Sequence, residues 1–458
     1  MVISRRYFLR TAGAVSLGFA GLHRFLDPGE VYADLVDWGY GALVSDPEKL
    51  LDLPQGFSYQ IISQIGEEMD DGLLVPGAHD GMAAFPGPNG KTLVVRNHEV
   101  NVGSDIMGPF GEDNRLFEKV KTDRVYDQGK KGYRCPGGTT TLVFDTKMQR
   151  LESHFMSLAG TLRNCAGGPT PWNSWVTCEE TVTRAGDYTH KDHGYNFEVP
   201  ARADGELVNA VPLKAMGRFN HEAIAVDPKS GIVYETEDRS DGLIYRFIPK
   251  IPGQLAMGGK LQALAIRDQV GMDTRNWEET TMTLGQSLAV KWINLENVEA
   301  PEDDLRHQGD DKGASLFARG EGIWYGNDAV YIACTNGGLA KKGQIWKYVP
   351  SPYEGTGEEE KQPGMLTLFS EPNDGKLVEN ADNLTIAPWG DVIACEDGKD
   401  HDRLVGITPE GKIYTLANNA RNNSELAGVS FAPDGSTMFV NIQTLGYTLA
   451  VTGPWRKS

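Results

Sequence analysis

The chain has 458 residues and a formal net charge of −19. That acidity argues against nucleic acid as a partner, because phosphate backbones are held by basic surfaces. A hydrophobic content of 40% fits a folded globular chain with one large core or two domains.

Residues 4–10, SRRYFLR, read as a twin-arginine export signal. The apolar run over 12–22 is short and rich in Gly and Ala, so no stable membrane span is expected there. Val31-Tyr32-Ala33 offers a cleavage site. We therefore expect residues 1–33 to be a signal read by the twin-arginine export machinery, residues 34–458 to form a single domain, and the location to be periplasmic or secreted. That route carries folded cargo, which suits a protein that selects a transition metal before export.

Residues 34–59 read as a connector into a first strand, GFSYQIIS. One plan then recurs: an alternating run, a Gly- or Asn-containing turn, a second alternating run and a polar end. It begins at His79, Asn164, Gly217, Gly320, Ala381 and Glu425. A period of two with such turns predicts antiparallel strands. Between the copies, 101–131 reads as a polar insertion and 139–144 as a strand. Residues 269–295 read as a loop with a short helix, 299–311 as a solvated acidic loop and 351–363 as an exposed loop.

Sheet repeats that cannot bury a face alone must stack or close on one another. The expected fold is all-β, a β-propeller of six blades with long loop insertions, its last strand closing the ring against an N-terminal one. A stacked sandwich or two barrels is the competing fold.

In a propeller, equivalent inner-strand positions converge on one axis. Asp80, Cys165, Glu222, Glu321, Asp382 and Glu425 hold the equivalent position in the six copies. A ring of carboxylates would repel itself without cations. Carboxylates suit calcium or magnesium, and a thiolate suits a softer metal such as iron or zinc. On spacing alone, Cys165 is equally a structural thiol in a Gly-rich turn. Cys178, Cys334 and Cys395 lie inside strand runs and read as buried apolar residues. Arg319, two residues before Glu321, projects to the same side in extended backbone. It could grip an oxyanion or pair with a neighbouring acid. His221 should face away from Glu222. No Ser/His/acid constellation stands out.

The stretches RNCAGGPTPWNSWVTCEE, GRFNHEAIAVDP with VYETEDRSDGLIYRFIP, FARGEGIWY, ADNLTIAPWGDVIACEDG and FAPDGSTMFVNIQT, in that order, resemble the PhoX-type alkaline phosphatases. The resemblance implies a six-bladed propeller, a cluster of iron and calcium ions with a bridging oxo group, and hydrolysis of a small phosphorylated substrate, a phosphate monoester. It makes Cys165 the iron-binding thiolate and Glu222, Glu321 and Asp382 metal-binding carboxylates. It makes Arg319 the phosphate-binding arginine, with Asn97 helping at the same site. Asp80 and Glu425 rest on the repeat alone. The chain departs from the family in being short and in carrying Gly320 after Arg319. Alternatives are another propeller metalloenzyme, a phosphodiesterase or a calcium-dependent lactonase, or a non-catalytic binding protein braced by calcium.

Overall fold

The computed structural model describes residues 39–399 and 402–457. The signal expected in residues 1–33 lies outside them. Among the described residues no helix is long and apolar enough to cross a membrane.

Three short strands come first: β1 (Leu43–Val44), β2 (Leu51–Pro54) and β3 (Ser58–Gln64). The first blade is β4 (His79–Pro86), β5 (Thr92–His98), β6 (Gly137–Asp145) and β7 (Arg150–Thr161). The second is β8 (Asn164–Pro169), β9 (Ser174–Glu179) and β10 (Asn196–Pro200). The third is β11 (His221–Val226), β12 (Val233–Glu237), β13 (Ile244–Pro249) and β14 (Gly259–Ile266). An extra strand, β15 (Ser287–Asn294), pairs with β14 and reaches across to the fourth blade. That blade is β16 (Gly320–Gly326), β17 (Ala329–Cys334), β18 (Gln344–Val349) and β19 (Met365–Ser370). The fifth is β20 (Ala381–Ile386), β21 (Val392–Glu396), β22 (Arg403–Ile407) and β23 (Ile413–Asn419). The sixth is β24 (Leu426–Phe431), β25 (Thr437–Ile442) and β26 (Tyr447–Thr452).

The inner strands β4, β8, β11, β16, β20 and β24 lie side by side in that order, and β24 meets β4 again. The fold is an all-β propeller, and its inner strands begin where the sequence repeats begin. The expected closure is present: β26 pairs antiparallel with β3, from Tyr447 opposite Gln64 to Thr452 opposite Ser58. Closing the ring this way removes an unpaired edge.

Side chains from facing blades make the core. Val95 of β5, Trp175 of β9 and Phe197 of β10 are buried in one such layer. Cys178, Cys334 and Cys395 are buried as expected, and all five cysteines are unpaired. The inner strands approach closely where they carry glycine, as at Gly322 beside Glu321 and at Gly168 further along β8. A Cβ on Gly322 would lie 2.7 Å from the Asp382 carbonyl oxygen, and one on Gly168 would lie 1.9 Å from that of Ile224. Only a residue without a side chain fits there.

Three local expectations need correction. The segment 34–59 is more than a connector, since β2 pairs with β23 at Leu51 opposite Asn419. Residues 287–294 form β15 rather than a helix, and a helix, α1 (Leu305–Asp311), falls where a solvated loop was expected. Buried Leu305 anchors it, and a Cβ on Gly309 would lie 2.4 Å from Leu243 Cδ1. Finally, 351–363 folds back onto the third blade. Arg246, 2% exposed, donates from Nη1 to Glu354 Oε1 and to Glu359 Oε1, both at 2.6 Å. A buried guanidinium needs such partners, and the acidic loop supplies them.

Candidate active site

At one end of the central channel lies a cavity of about 420 Å³. Asp80, Cys165, Glu222, Glu321, Asp382 and Glu425 all line it, as the repeat predicts, and so does Arg319. Asn97 does not. Its Nδ2 donates to the carbonyl oxygens of Cys165 (3.2 Å) and Ala166 (2.7 Å). Its Oδ1 accepts from Trp175 Nε1 and Thr177 Oγ1, each at 2.8 Å. With its hydrogen bonds spent inside the protein and no exposed surface, Asn97 positions the Cys165 backbone and does not reach the cavity wall. Asn97→Ala would orphan several buried groups. We expect a stability loss of about 2–4 kcal/mol in urea unfolding. Lost turnover at unchanged stability would instead restore it to the substrate.

His221 points away from the cavity, as alternation requires. Its Nε2 lies 3.1 Å from the Gly217 carbonyl oxygen and its ring stacks on Phe219.

Backbone bonds define which positions are equivalent. The amide following the second strand of each blade donates to the carbonyl just before the inner strand. The pairs are Glu99 to Ala78, Glu180 to Arg163, Asp238 to Asn220, Thr335 to Arg319, Asp397 to Asn380 and Gln443 to Glu425. Two residues after each acceptor stand Asp80, Cys165, Glu222, Glu321, Asp382 and Ala427. Glu425 therefore does not share the acids' position, as the repeat suggested. It stands where Arg163 and Arg319 stand, and its carboxylate reaches the ring from there.

The same bonds reveal cavity residues outside the ring positions. Glu99, Glu180, Asp238 and Asp397, each just past a second strand, also line the cavity. The signal was visible as an acid ending NHE, CEE, ETED and CED. Arg163 was missed, although it sits two residues before Cys165 as Arg319 sits before Glu321.

The two arginines are held alike. Arg319 grips Asp238 with Nε (2.6 Å) and Nη2 (2.8 Å), and Nη2 also reaches Glu321 at 3.0 Å. Arg163 bonds Glu99 through Nε (3.0 Å) and Nη2 (2.5 Å), and Glu180 through Nη2 (2.5 Å). Neither Nη1 has a protein partner among the described residues. The backbone at Arg319 is not extended as assumed: φ is +51°, and at Arg163 +47°. Side-chain-bearing residues rarely adopt that region, and such strain collects at functional sites.

Nine carboxylates and one thiol face two guanidiniums here. Burial pushes the carboxyls of Asp80, Glu222, Glu321 and Glu425 well above their ordinary range, and neighbouring acids push further. Burial, then Asp397, raises Asp382 to about 7. Burial raises Glu180 to about 8 against the pull of Arg163. Burial, then Glu222, raises the Cys165 thiol, whose Sγ lies 3.1 Å from Glu222 Oε2. Bound cations would relieve that repulsion. Three groups have ligand atoms within 4.8 Å of one another: Cys165 with Glu180 and Glu222; Asp80 with Glu99 and Glu425; Glu222 with Glu321 and Asp382. Sharing Glu222 between two groups suits adjacent cations. The oxygen sets suit a hard cation, and the sulfur-containing set a softer one.

The family described as alkaline phosphatase PhoX matches residues 38–446. No curated protein sequence matches the chain. Among solved structures, Pseudomonas fluorescens PhoX in complex with vanadate, a transition state analogue, is similar with a TM-score of 0.65. It is 16% identical, over 88% of this chain and 96% of that one. That likeness shows the fold. A gluconolactonase from Xanthomonas campestris gives a TM-score of 0.43 at 12% identity, over 90% of this chain and 98% of that one.

Proposed function

Because the chain belongs to the PhoX alkaline phosphatase family, and so to the phosphoric ester hydrolases, we propose that it hydrolyses phosphate monoesters at the channel cavity. The observation that carries this reading is the pairing of a thiol-and-carboxylate ring with arginines whose Nη1 atoms have no partner among the described residues.

The family depends on metals, and the residues here fit them. Cys165, Glu180 and Glu222 would hold iron. Glu321, Asp382, Asp80, Glu99 and Glu425 would complete a multinuclear cluster with calcium. Bound there, the cations supply Lewis acidity toward the phosphoryl oxygens and toward water.

The remaining chemistry belongs to the chain. Arg319 binds the phosphoryl group and stabilises charge on its equatorial oxygens. Asp238 fixes the guanidinium plane through two bonds, so little ordering is needed when the substrate arrives. Arg163, held by Glu99 and Glu180, flanks the same space. Among the described residues no histidine lines the cavity, and nine carboxyls do.

Export through the twin-arginine route to the periplasm or medium, and one domain over 34–458, belong to the same proposal. They are supported by SRRYFLR and by the pairing of β3 with β26.

The test is elemental analysis of exported protein and of Cys165→Ala, with turnover of p-nitrophenyl phosphate measured on both. We expect iron and calcium in the wild type, and loss of iron and turnover in the variant. Calcium alone, unchanged in the variant, would overturn the iron assignment. Lactone hydrolysis without phosphatase activity would point to the lactonase. Turnover of neither would leave a calcium-braced binding protein.

A further inference from the structure

A second cluster of metal-binding groups lies outside the channel, and the phosphatase reading makes no use of it. Asp127 comes from the insertion after β5, Cys135 from just before β6, and His193 from the loop between β9 and β10. All three are buried, at 1%, 1% and 0% exposure. Their ligand atoms lie within 4.8 Å of one another.

The histidine gives the cluster its direction. His193 Nδ1 sits 2.6 Å from Glu179 Oε1, a hydrogen bond that places the proton on Nδ1. Glu179 is itself fixed by the amides of Leu162, Gly194 and Tyr195. The other nitrogen, Nε2, is buried and makes no hydrogen bond. Asp127 Oδ2 faces it at 3.7 Å, too far to bond. With no hydrogen bond and only a loose ion pair to Asp127, this buried nitrogen is incompletely satisfied as it stands. This is the arrangement of a metal-bound histidine whose far nitrogen is held by a carboxylate.

The 3.7 Å between His193 Nε2 and Asp127 Oδ2 fits two atoms that share one ion. A tetrahedral ion with bonds of about 2.0–2.3 Å holds its ligand atoms roughly 3.3–3.8 Å apart. Asp127 accepts amides from Gly129, His190 and Lys191, as ligating carboxylates commonly do. It also lines a cavity of about 450 Å³, on whose wall Cys135 and His193 do not lie.

We propose that Asp127, Cys135 and His193 form a zinc site, separate from the channel, that clamps the insertion after β5 to the loop between β9 and β10. Binding converts the Cys135 thiol to a thiolate, and the displaced proton passes to solvent. Sulfur, nitrogen and oxygen donors together favour zinc over calcium. Glu179 ends the strand that precedes cavity-lining Glu180, so the clamp also braces one wall of the channel site.

The test compares wild type, Cys165→Ala and Cys135→Ser, each purified with zinc present and then desalted. We expect about one zinc per chain to survive in wild type and in Cys165→Ala, and to be lost in Cys135→Ser. Cobalt replacement gives a readout that does not depend on a folded Cys135 variant. Cobalt-loaded Cys165→Ala should show a thiolate-to-cobalt charge-transfer band. Zinc retained equally in folded Cys135→Ser would overturn the site. So would absence of both zinc and that band in Cys165→Ala, since the trio would then be only a buried ion pair.

Discussion

Arg319→Ala should lower kcat for phosphate monoester hydrolysis by about 10²–10³-fold while leaving the fold intact. The size follows from what the side chain does. Phosphoryl transfer leaves little covalent work for the protein, and rate comes from positioning and from charge stabilisation on the phosphoryl oxygens. Arg319 is placed for both, fixed by Asp238 and Glu321 with Nη1 open to the cavity. Its side chain is 38% exposed, so its ion pairs are partly screened and contribute modestly to stability. Removing it also leaves Asp238 and Glu321 free to hold cations, so metal content should not fall. Arg319→Lys should restore little, because an ammonium cannot reproduce two parallel bonds to Asp238 while presenting a further donor. The measurements are kcat, inhibition by inorganic phosphate, metal content and Tm on the same preparations. If Tm drops and kcat holds, Arg319 is a structural ion pair and the phosphate is bound elsewhere.

Much of this fold was legible because each inner strand carries its own signature. Alternation, a Gly or Asn turn and a polar end marked six starting points, and an inner strand begins at or close by each. The outer parts were less legible for a physical reason. β2 and β15 pair at blade edges, where one face is solvated and the apolar alternation is weak; Leu288, Ala289 and Trp292 are only half-buried. The helix at Leu305–Asp311 has no helical apolar stripe. It exists because Leu305 and Gly309 pack against the third blade, a contact that local sequence does not announce.

At the site, the repeat brought five ring positions together correctly. It failed at Glu425 because the sixth blade places its acid two residues early and still reaches the same space. Register of that kind is carried by a backbone bond, from the Gln443 amide to the Glu425 carbonyl, and is silent in residue type. Asn97 was misread for a related reason. Its neighbour Glu99 faces the cavity, while Asn97 itself turns inward to hold Cys165 and Ala166. The Asp127, Cys135 and His193 cluster was invisible because two unrelated loops build it.

Stripping the cations with a chelator should abolish turnover and also reverse the usual effect of mild acid on stability. Asp80, Glu222, Glu321 and Glu425 have folded-state pKa values raised above their unfolded ones by burial, as do Asp382 and Glu180. Below about pH 4 both states are protonated and these groups contribute nothing. As pH rises past that, the unfolded chain ionises first while the folded ring keeps its protons. The folded state then binds more protons, so unfolding becomes easier with each step in pH. The loss continues for each such group up to its folded pKa. For Asp382 and Glu180 that limit is about 7 and about 8. The stripped protein should therefore melt at a lower temperature at about pH 8 than at about pH 5. Returning calcium should close that gap, because a cation takes the place of the protons and binds only the folded ring. At a thousandfold excess over its Kd, a single such ion adds about 4 kcal/mol. Calcium alone should restore the melting temperature, and turnover should return only when iron is added as well. A melting temperature of the stripped protein that stays flat or rises between those pH values would mean that the carboxylates are solvated and paired without metal. The cluster would then lose its physical basis.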